Sequence, residues 1–122
     1  ELRVRIRFEL ARPIAKPEIV IGTHTTDFVY LTAASTIEFA DRPDFGKGAH
    51  EIEYRVSPFP LTGGTYCIRL VFFDEFARPI FQGESLTTFS VVQARGANRE
   101  SNWMTLDLPT DWVLDGRAFK KQ

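Results

Sequence analysis

The sequence predicts an all-β fold: an antiparallel two-sheet β-sandwich, immunoglobulin-like or jelly-roll, with eight or nine short strands. Three observations predict it. Apolar residues recur with period two far more often than with the helical period of 3.6. Gly, Pro, Asp and Asn interrupt the apolar stretches at short intervals, as turns between strands require. No amphipathic helix of useful length can be drawn, and alternating apolar and polar faces suit sheets with one buried side.

The elements follow in order. Leu2, Val4, Ile6 and Phe8 alternate with Arg3, Arg5, Arg7 and Glu9, giving a strand with one apolar and one cationic face. Residues 18–23 (EIVIGT) and 28–32 (FVYLT) are β-branched and aromatic, and Thr26-Asp27 turns the chain between them. Residues 36–39 (TIEF) predict a short strand, and 41–48 (DRPDFGKG) a loop. In 50–56 (HEIEYRV), Ile52, Tyr54 and Val56 oppose Glu51, Glu53 and Arg55. Ser57-Pro58-Phe59-Pro60 ends that strand, because proline has no N–H for the ladder. After the Gly63-Gly64 turn comes the longest strand, 65–73 (TYCIRLVFF), with Tyr66, Ile68, Leu70 and Phe72 inward. Beyond the 74–78 turn, two short strands are predicted near 79–82 and 85–92. The whole chain, 1–122, reads as a single domain, in which 93–102 is a polar, mobile connection and 103–108 (WMTLDL) a final strand closed by Pro109. Trp112 and a tail follow.

Composition narrows the function classes. The chain has 122 residues, 43% hydrophobic and 25% charged, which is ordinary for one folded domain. Fifteen basic against sixteen acidic residues give a net charge of -1, unlike the strongly basic chain of a general nucleic-acid binder. No apolar run approaches the ~20 residues of a membrane span. The single cysteine, Cys67, rules out an intrachain disulfide and leans toward a reducing compartment. The chain opens on Glu1 with strand pattern from Leu2, so an excised domain of a longer protein is expected.

Catalytic signatures are lacking. His24, His50 and Cys67 have no zinc-site spacing. Asp41, Asp44, Asp74 and Glu75 sit in turns, where aspartate is common without calcium. Gly46-Lys47-Gly48 lacks the Ser/Thr and spacing of a phosphate loop, and no G-x-S-x-G elbow occurs. Glu51 and Glu53 share a face with Arg55, where cross-strand ion pairing is the common use of such a row. The expectation is a chain that is not an enzyme and takes no cofactor or metal.

One motif is more specific. In Leu61-Thr-Gly-Gly64-Thr-Tyr66, Leu61 fills the core before the turn, Gly64 allows the tight backbone, and Tyr66 places its ring in the core with its hydroxyl on backbone at the corner. It is flanked by the Arg-x-Arg-x-Arg-Phe strand (3–8), Pro13-Ile14-Ala15-Lys16-Pro17, the 19–21 strand, HEIEYRV, the acidic turn at Asp74, and Leu86-Thr-Thr-Phe89-Ser-Val91. Over residues 2–92 this arrangement resembles the C-terminal carbohydrate-binding domain of Wzt-type ATPases, the nucleotide-binding subunits of ABC transporters that export bacterial O-antigen polysaccharide. The tail from Met104 to Trp112 looks like that family's final strand. There are departures: a further hairpin expected ahead of Leu2 is missing, a glycine expected after the turn aspartate is Phe28, and an aspartate expected in the penultimate strand is Gln82.

The resemblance implies a non-catalytic, cytoplasmic domain carried behind an ATPase domain, at the inner face of the membrane with its membrane subunit. It would recognise the modified non-reducing end of a lipopolysaccharide O-antigen glycan. It also implies a homodimer, and in some members of that family the last strand is exchanged between protomers, which the polar connection 93–102 would suit. A sheet face reads a sugar by fixed hydrogen-bonding groups beside an aromatic surface. Eleven of the fifteen basic residues are arginine, whose planar fork suits carboxylate or phosphate groups on an acidic glycan end. The predicted binding residues are Glu53, Arg55, Arg69 and Phe73 on one shared face, with Trp103 as a stacking platform. The plain alternative for the four is a solvated, self-paired sheet face. Trp112 is assigned to a dimer seam, Tyr30 to either face, Tyr54, Tyr66 and Phe72 to the core, and both histidines to solvent. The competing functions are a structural, dimerising immunoglobulin-like domain without a glycan site, and a glycan-active enzyme fragment with two carboxylates across a cleft.

Overall fold

A computed structural model describes residues 1–92 and 111–120, the latter without the side chains of 111, 112, 119 and 120. The strands are β1 (Leu2–Leu10), β2 (Glu18–His24), β3 (Tyr30–Ser35), β4 (Gly48–Val56), β5 (Gly64–Phe73), β6 (Pro79–Val91), β7 (Asp111–Leu114) and β8 (Arg117–Lys120). All pairings are antiparallel. β1 and β4 form a two-stranded sheet, β3-β2-β5-β6 a four-stranded one, and β7-β8 a separate hairpin.

The alternation in the sequence becomes the packing. Ile19 and Ile21 of β2 and Ile68, Leu70 and Phe72 of β5 form the buried cluster, and Leu2, Val4, Ile6, Phe8, Ile52 and Tyr54 of the two-stranded sheet pack onto it. Each apolar side chain fully buried in this way is worth about 1.5–3 kcal/mol, so the facing rows dominate the drive to fold. The two sheets are thus the layers of a β-sandwich. Phe8 meets Phe72 edge-on at 4.8 Å between ring centres.

In the corner motif Leu61 and Tyr66 take the expected places, whereas Gly64 is the first residue of β5 and not part of a tight turn. Leu61 is buried, Tyr66 is buried, and the Tyr66 hydroxyl donates to the Thr62 carbonyl at 2.6 Å. Gly64 has φ +159°, next to extended backbone, and a Cβ there would touch the Tyr66 ring at ordinary contact distance. In the 74–78 turn, the buried Asp74 carboxylate accepts from the backbone N–H of Phe76 and of Arg78, both at 2.9 Å, and from Arg78 Nε at 3.1 Å.

Four expectations need correction or fall outside. Residues 36–39 are no strand: Thr36–Glu38 form a 3₁₀ turn, because the Ser35 side chain caps it by accepting from Ile37 N–H and Thr36 Oγ1 accepts from Ile19 N–H. The two strands near 79–82 and 85–92 are one strand, β6, carrying a bulge. Trp112 and the tail behind it form the β7-β8 hairpin rather than an unstructured end, and its turn residues Asp115 and Gly116 both have positive φ. The predicted connection 93–102 and strand 103–108 lie outside the described residues.

Because the two-stranded sheet is narrower than the four-stranded one, it leaves an apolar groove on each flank. One, of about 430 Å³, runs along β1 and β6 past Phe8, Leu10, Ile14, Ile80 and Phe81. The other, of about 410 Å³, lies beside β4 and is lined by Ile19, Ala34, Phe39, Phe45, Ile52 and Tyr54. Among the described residues, no helix is long and apolar enough to cross a membrane.

Candidate functional site

The predicted site residues divide between the two outer faces. Ile52 and Tyr54 of β4 point to the core, so Glu53 and Arg55 project from the outside of the two-stranded sheet. Ile68, Leu70 and Phe72 of β5 point to the core from the other layer, so Arg69 and Phe73 project from the outside of the four-stranded sheet. The structure therefore does not bring all four together. The reason is pairing: β4 joins β1, and β5 joins β2 and β6. Arg69 and Phe73 do share a face, about 13 Å apart along the strand at strand rise. Trp103 lies outside the described residues, and Trp112 falls in β7.

The outer face of the two-stranded sheet is a ladder of exposed ion pairs. Glu51 meets Arg7 at 2.9 Å and Arg5 at 3.3 Å, and Arg55 Nε donates to Glu53 at 2.7 Å. The Arg55 hydrogen bond holds the Glu53 carboxyl below its ordinary pKa, against a smaller opposing effect of burial. Exposed pairs of this kind contribute little to stability, and each cation here already has its carboxylate.

The outer face of the four-stranded sheet is built differently. Gly22 of β2 stands opposite Arg69 of β5. A Cβ at Gly22 would lie 2.6 Å from the Thr32 carbonyl oxygen and 3.2 Å from Arg69 Cγ, so the glycine leaves the space that the arginine stem crosses. The guanidinium then rests over the Tyr30 ring, 4.6 Å from its centre, a cation–π contact. The Tyr30 hydroxyl donates to the Glu84 carboxylate, which links β3 to β6 across the whole sheet. That hydrogen bond, with burial, raises the Tyr30 pKa above its ordinary value, while Arg69 pulls the other way.

A bulge in β6 makes this link possible. Ile68 pairs with Thr87 and Leu70 with Gly83, so Arg69 alone stands opposite Glu84, Ser85 and Leu86. Ser85 adopts the left-handed region at φ +52°. Its N–H donates to His24 Nε2 at 3.1 Å, reaching over β5, which lies between β2 and β6. His24 Nδ1 lies 2.6 Å from the Thr25 carbonyl and donates to it. The ring stacks on Phe28 at 5.3 Å and meets Tyr30 edge-on at 5.9 Å.

His24 is 0% exposed, so the expectation that it is solvated is corrected: the bulge and two aromatic rings cover it. His50 is the more accessible histidine, with Nε2 2.6 Å from the Gly46 carbonyl. Phe28 occupies a left-handed position, φ +64°, where a glycine suits the backbone best; its ring lies on His24 and stays 54% exposed. Tyr30 is 53% exposed, which leaves aromatic surface open beside the guanidinium.

The sequence points to Arg69 and leaves Tyr30 undecided, but gives no sign that His24 and Glu84 meet Tyr30 or that Phe28 covers His24. One signal was available: a glycine inside the β-branched run 18–23 marks a close approach by another group. Among the described residues, no group of three or more His, Cys, Asp or Glu side chains is placed to hold a metal ion.

No protein-family model matches the sequence, and no curated protein sequence matches it. The three-dimensional likeness is strong. A crystal structure of the C-terminal domain of Wzt superposes with a TM-score of 0.75, covering 92% of this chain and 68% of that one, at 12% sequence identity. The chain therefore has the β-sandwich fold of the Wzt C-terminal domain.

Proposed function

We propose that this domain is a non-catalytic glycan-binding module that recognises the non-reducing end of a bacterial O-antigen polysaccharide and serves its export by an ABC transporter. In this reading it is a cytoplasmic, homodimeric domain, carried by an ATPase chain and working beside a membrane subunit. The fold shared with the C-terminal domain of Wzt supports that setting.

The observation that carries the binding reading is the Arg69–Tyr30–Glu84 cluster on the outside of the four-stranded sheet. It offers an open aromatic surface for the apolar C–H side of a pyranose, a guanidinium to donate, and a carboxylate to accept from sugar hydroxyls. Its groups are held by the sheet and the bulge, so little ordering is lost on binding. The test is calorimetric titration of the domain with O-antigen polysaccharides, repeated with Arg69→Ala. Saturable binding that weakens about tenfold or more in the variant supports the reading; an unchanged affinity removes Arg69 from the site.

A second reading is favoured by the two flanking grooves: a dimerising immunoglobulin-like domain without a glycan site. Sedimentation velocity that finds a stable dimer, together with calorimetry that finds no binding to any polysaccharide, selects it.

A further inference from the structure

We infer that the ligand of the Arg69 face carries an acidic group, a carboxylate or a phosphate, and that this group seats on the Arg69 guanidinium. The inference rests on the glycan-binding reading above and names the chemistry of what is bound.

The arginines of this domain supply the comparison. Arg5 and Arg7 meet Glu51, Arg55 meets Glu53, Arg12 meets Glu75 and Asp74, and Arg78 meets Asp74. Arg69 is more buried than these, yet among the described residues it has no carboxylate within 4.0 Å. Its Nε is closed off from solvent and has no hydrogen-bond acceptor. The anion across the face, Glu84, is engaged by the Tyr30 hydroxyl.

Arg42 is also half-buried and has no carboxylate within 4.0 Å among the described residues, so what sets Arg69 apart is its sealed Nε and the Tyr30 ring against its guanidinium. Its hydration is already partly removed, so an incoming anion displaces less water than it would from an exposed arginine or lysine. The Tyr30 ring fixes the plane of the guanidinium, and the absence of a side chain at Gly22 fixes its stem. A planar fork held in this way matches the two oxygens of a carboxylate or phosphate. A neutral sugar would leave the charge uncompensated.

The experiment is a ¹H–¹⁵N NMR titration of the full chain, arginine side-chain Nε–H included, with three small probes: methyl β-glucuronide, methyl phosphate and methyl β-glucoside. The two acidic probes are expected to shift the Arg69 Nε–H and the Gly22 amide. They should bind about tenfold or more tighter than the neutral glucoside and weaken severalfold between about 0.05 and about 0.5 M salt. The ratio of the two acidic affinities separates a carboxylate from a phosphate ligand. Arg69→Gln should lose the acidic probes. Should that variant not fold, Glu84→Gln gives an independent reading: removing the nearby negative charge should tighten acidic probes about two- to fivefold. Equal binding of the glucoside, shifts that persist in Arg69→Gln, or weaker acidic binding in Glu84→Gln would overturn the inference. The outcomes separate the two levels of argument. Polysaccharides bound regardless of charge leave the glycan reading standing and overturn the acidic ligand. Acidic probes seated at Arg69, with no polysaccharide bound, do the reverse.

Discussion

The Ser85 N–H donates to His24 Nε2 across the central strand of the four-stranded sheet, and this single bond ties the β6 bulge to β2. An imidazole that accepts at Nε2 while donating from Nδ1 to the Thr25 carbonyl is a neutral ring of fixed tautomer. His24→Phe keeps the stacking on Phe28 but removes both hydrogen bonds; the Thr25 carbonyl keeps the Phe28 N–H, while the Ser85 amide loses its side-chain acceptor. A loss of about 1–3 kcal/mol is expected in urea unfolding, with faster hydrogen exchange at the Ser85 amide than at the core amides of β5.

Gly22 and Arg69 are complementary in space. Gly22→Ala places a methyl group 2.6 Å from the Thr32 carbonyl oxygen, a backbone atom that cannot swing aside. The expected result is a loss of about 1–3 kcal/mol in urea unfolding, with altered side-chain resonances of Arg69 and Tyr30. An Ala variant as stable as the parent contradicts the close approach.

The Tyr66 hydroxyl closes the corner before β5 by donating to Thr62. Tyr66→Phe keeps the ring in the core and deletes this bond. Urea unfolding should register about 0.5–1.5 kcal/mol of destabilisation, with an unchanged slope against denaturant.

Asp74 predicts an acid limb. Burial by itself raises its carboxyl pKa; the N–H groups of Arg78 and Phe76 and the Arg78 guanidinium outweigh this and set it below the ordinary 3.8. A depressed folded pKa means that the contribution is present above the unfolded value and is lost as pH falls through the folded one. Melting temperature followed from pH 6 down to about pH 2 should therefore drop more steeply below the ordinary carboxylate value in the parent than in Asp74→Asn. Parallel curves would contradict that assignment.

Much of the fold is legible in the sequence because period-two alternation is a local property. Leu2 to Phe8, Ile52 and Tyr54, and Ile68 to Phe72 announce which side is buried, and Leu61 and Tyr66 announce a corner. Alternation does not say which sheet a strand joins. Alternation alone lets Glu53 and Arg55 share a face with Arg69, but the pairing of β4 with β1 puts them on the opposite outer face. The burial of His24 was illegible for a related reason: the group that covers it, Ser85, is far away in sequence and reaches it only through a bulge. The last hairpin was within reach, since Asp115-Gly116 between two short apolar stretches is a strong two-residue turn signal.

In the proposed function, saccharide lies against the outside of the four-stranded sheet. The decisive measurement is amide chemical-shift mapping of the whole chain during titration with O-antigen polysaccharide. Perturbations should cluster on Gly22, His24, Tyr30, Arg69 and the Glu84–Leu86 bulge. Perturbations confined to the β1-β4 face around Glu53 and Arg55, or none with any polysaccharide, would contradict that placement.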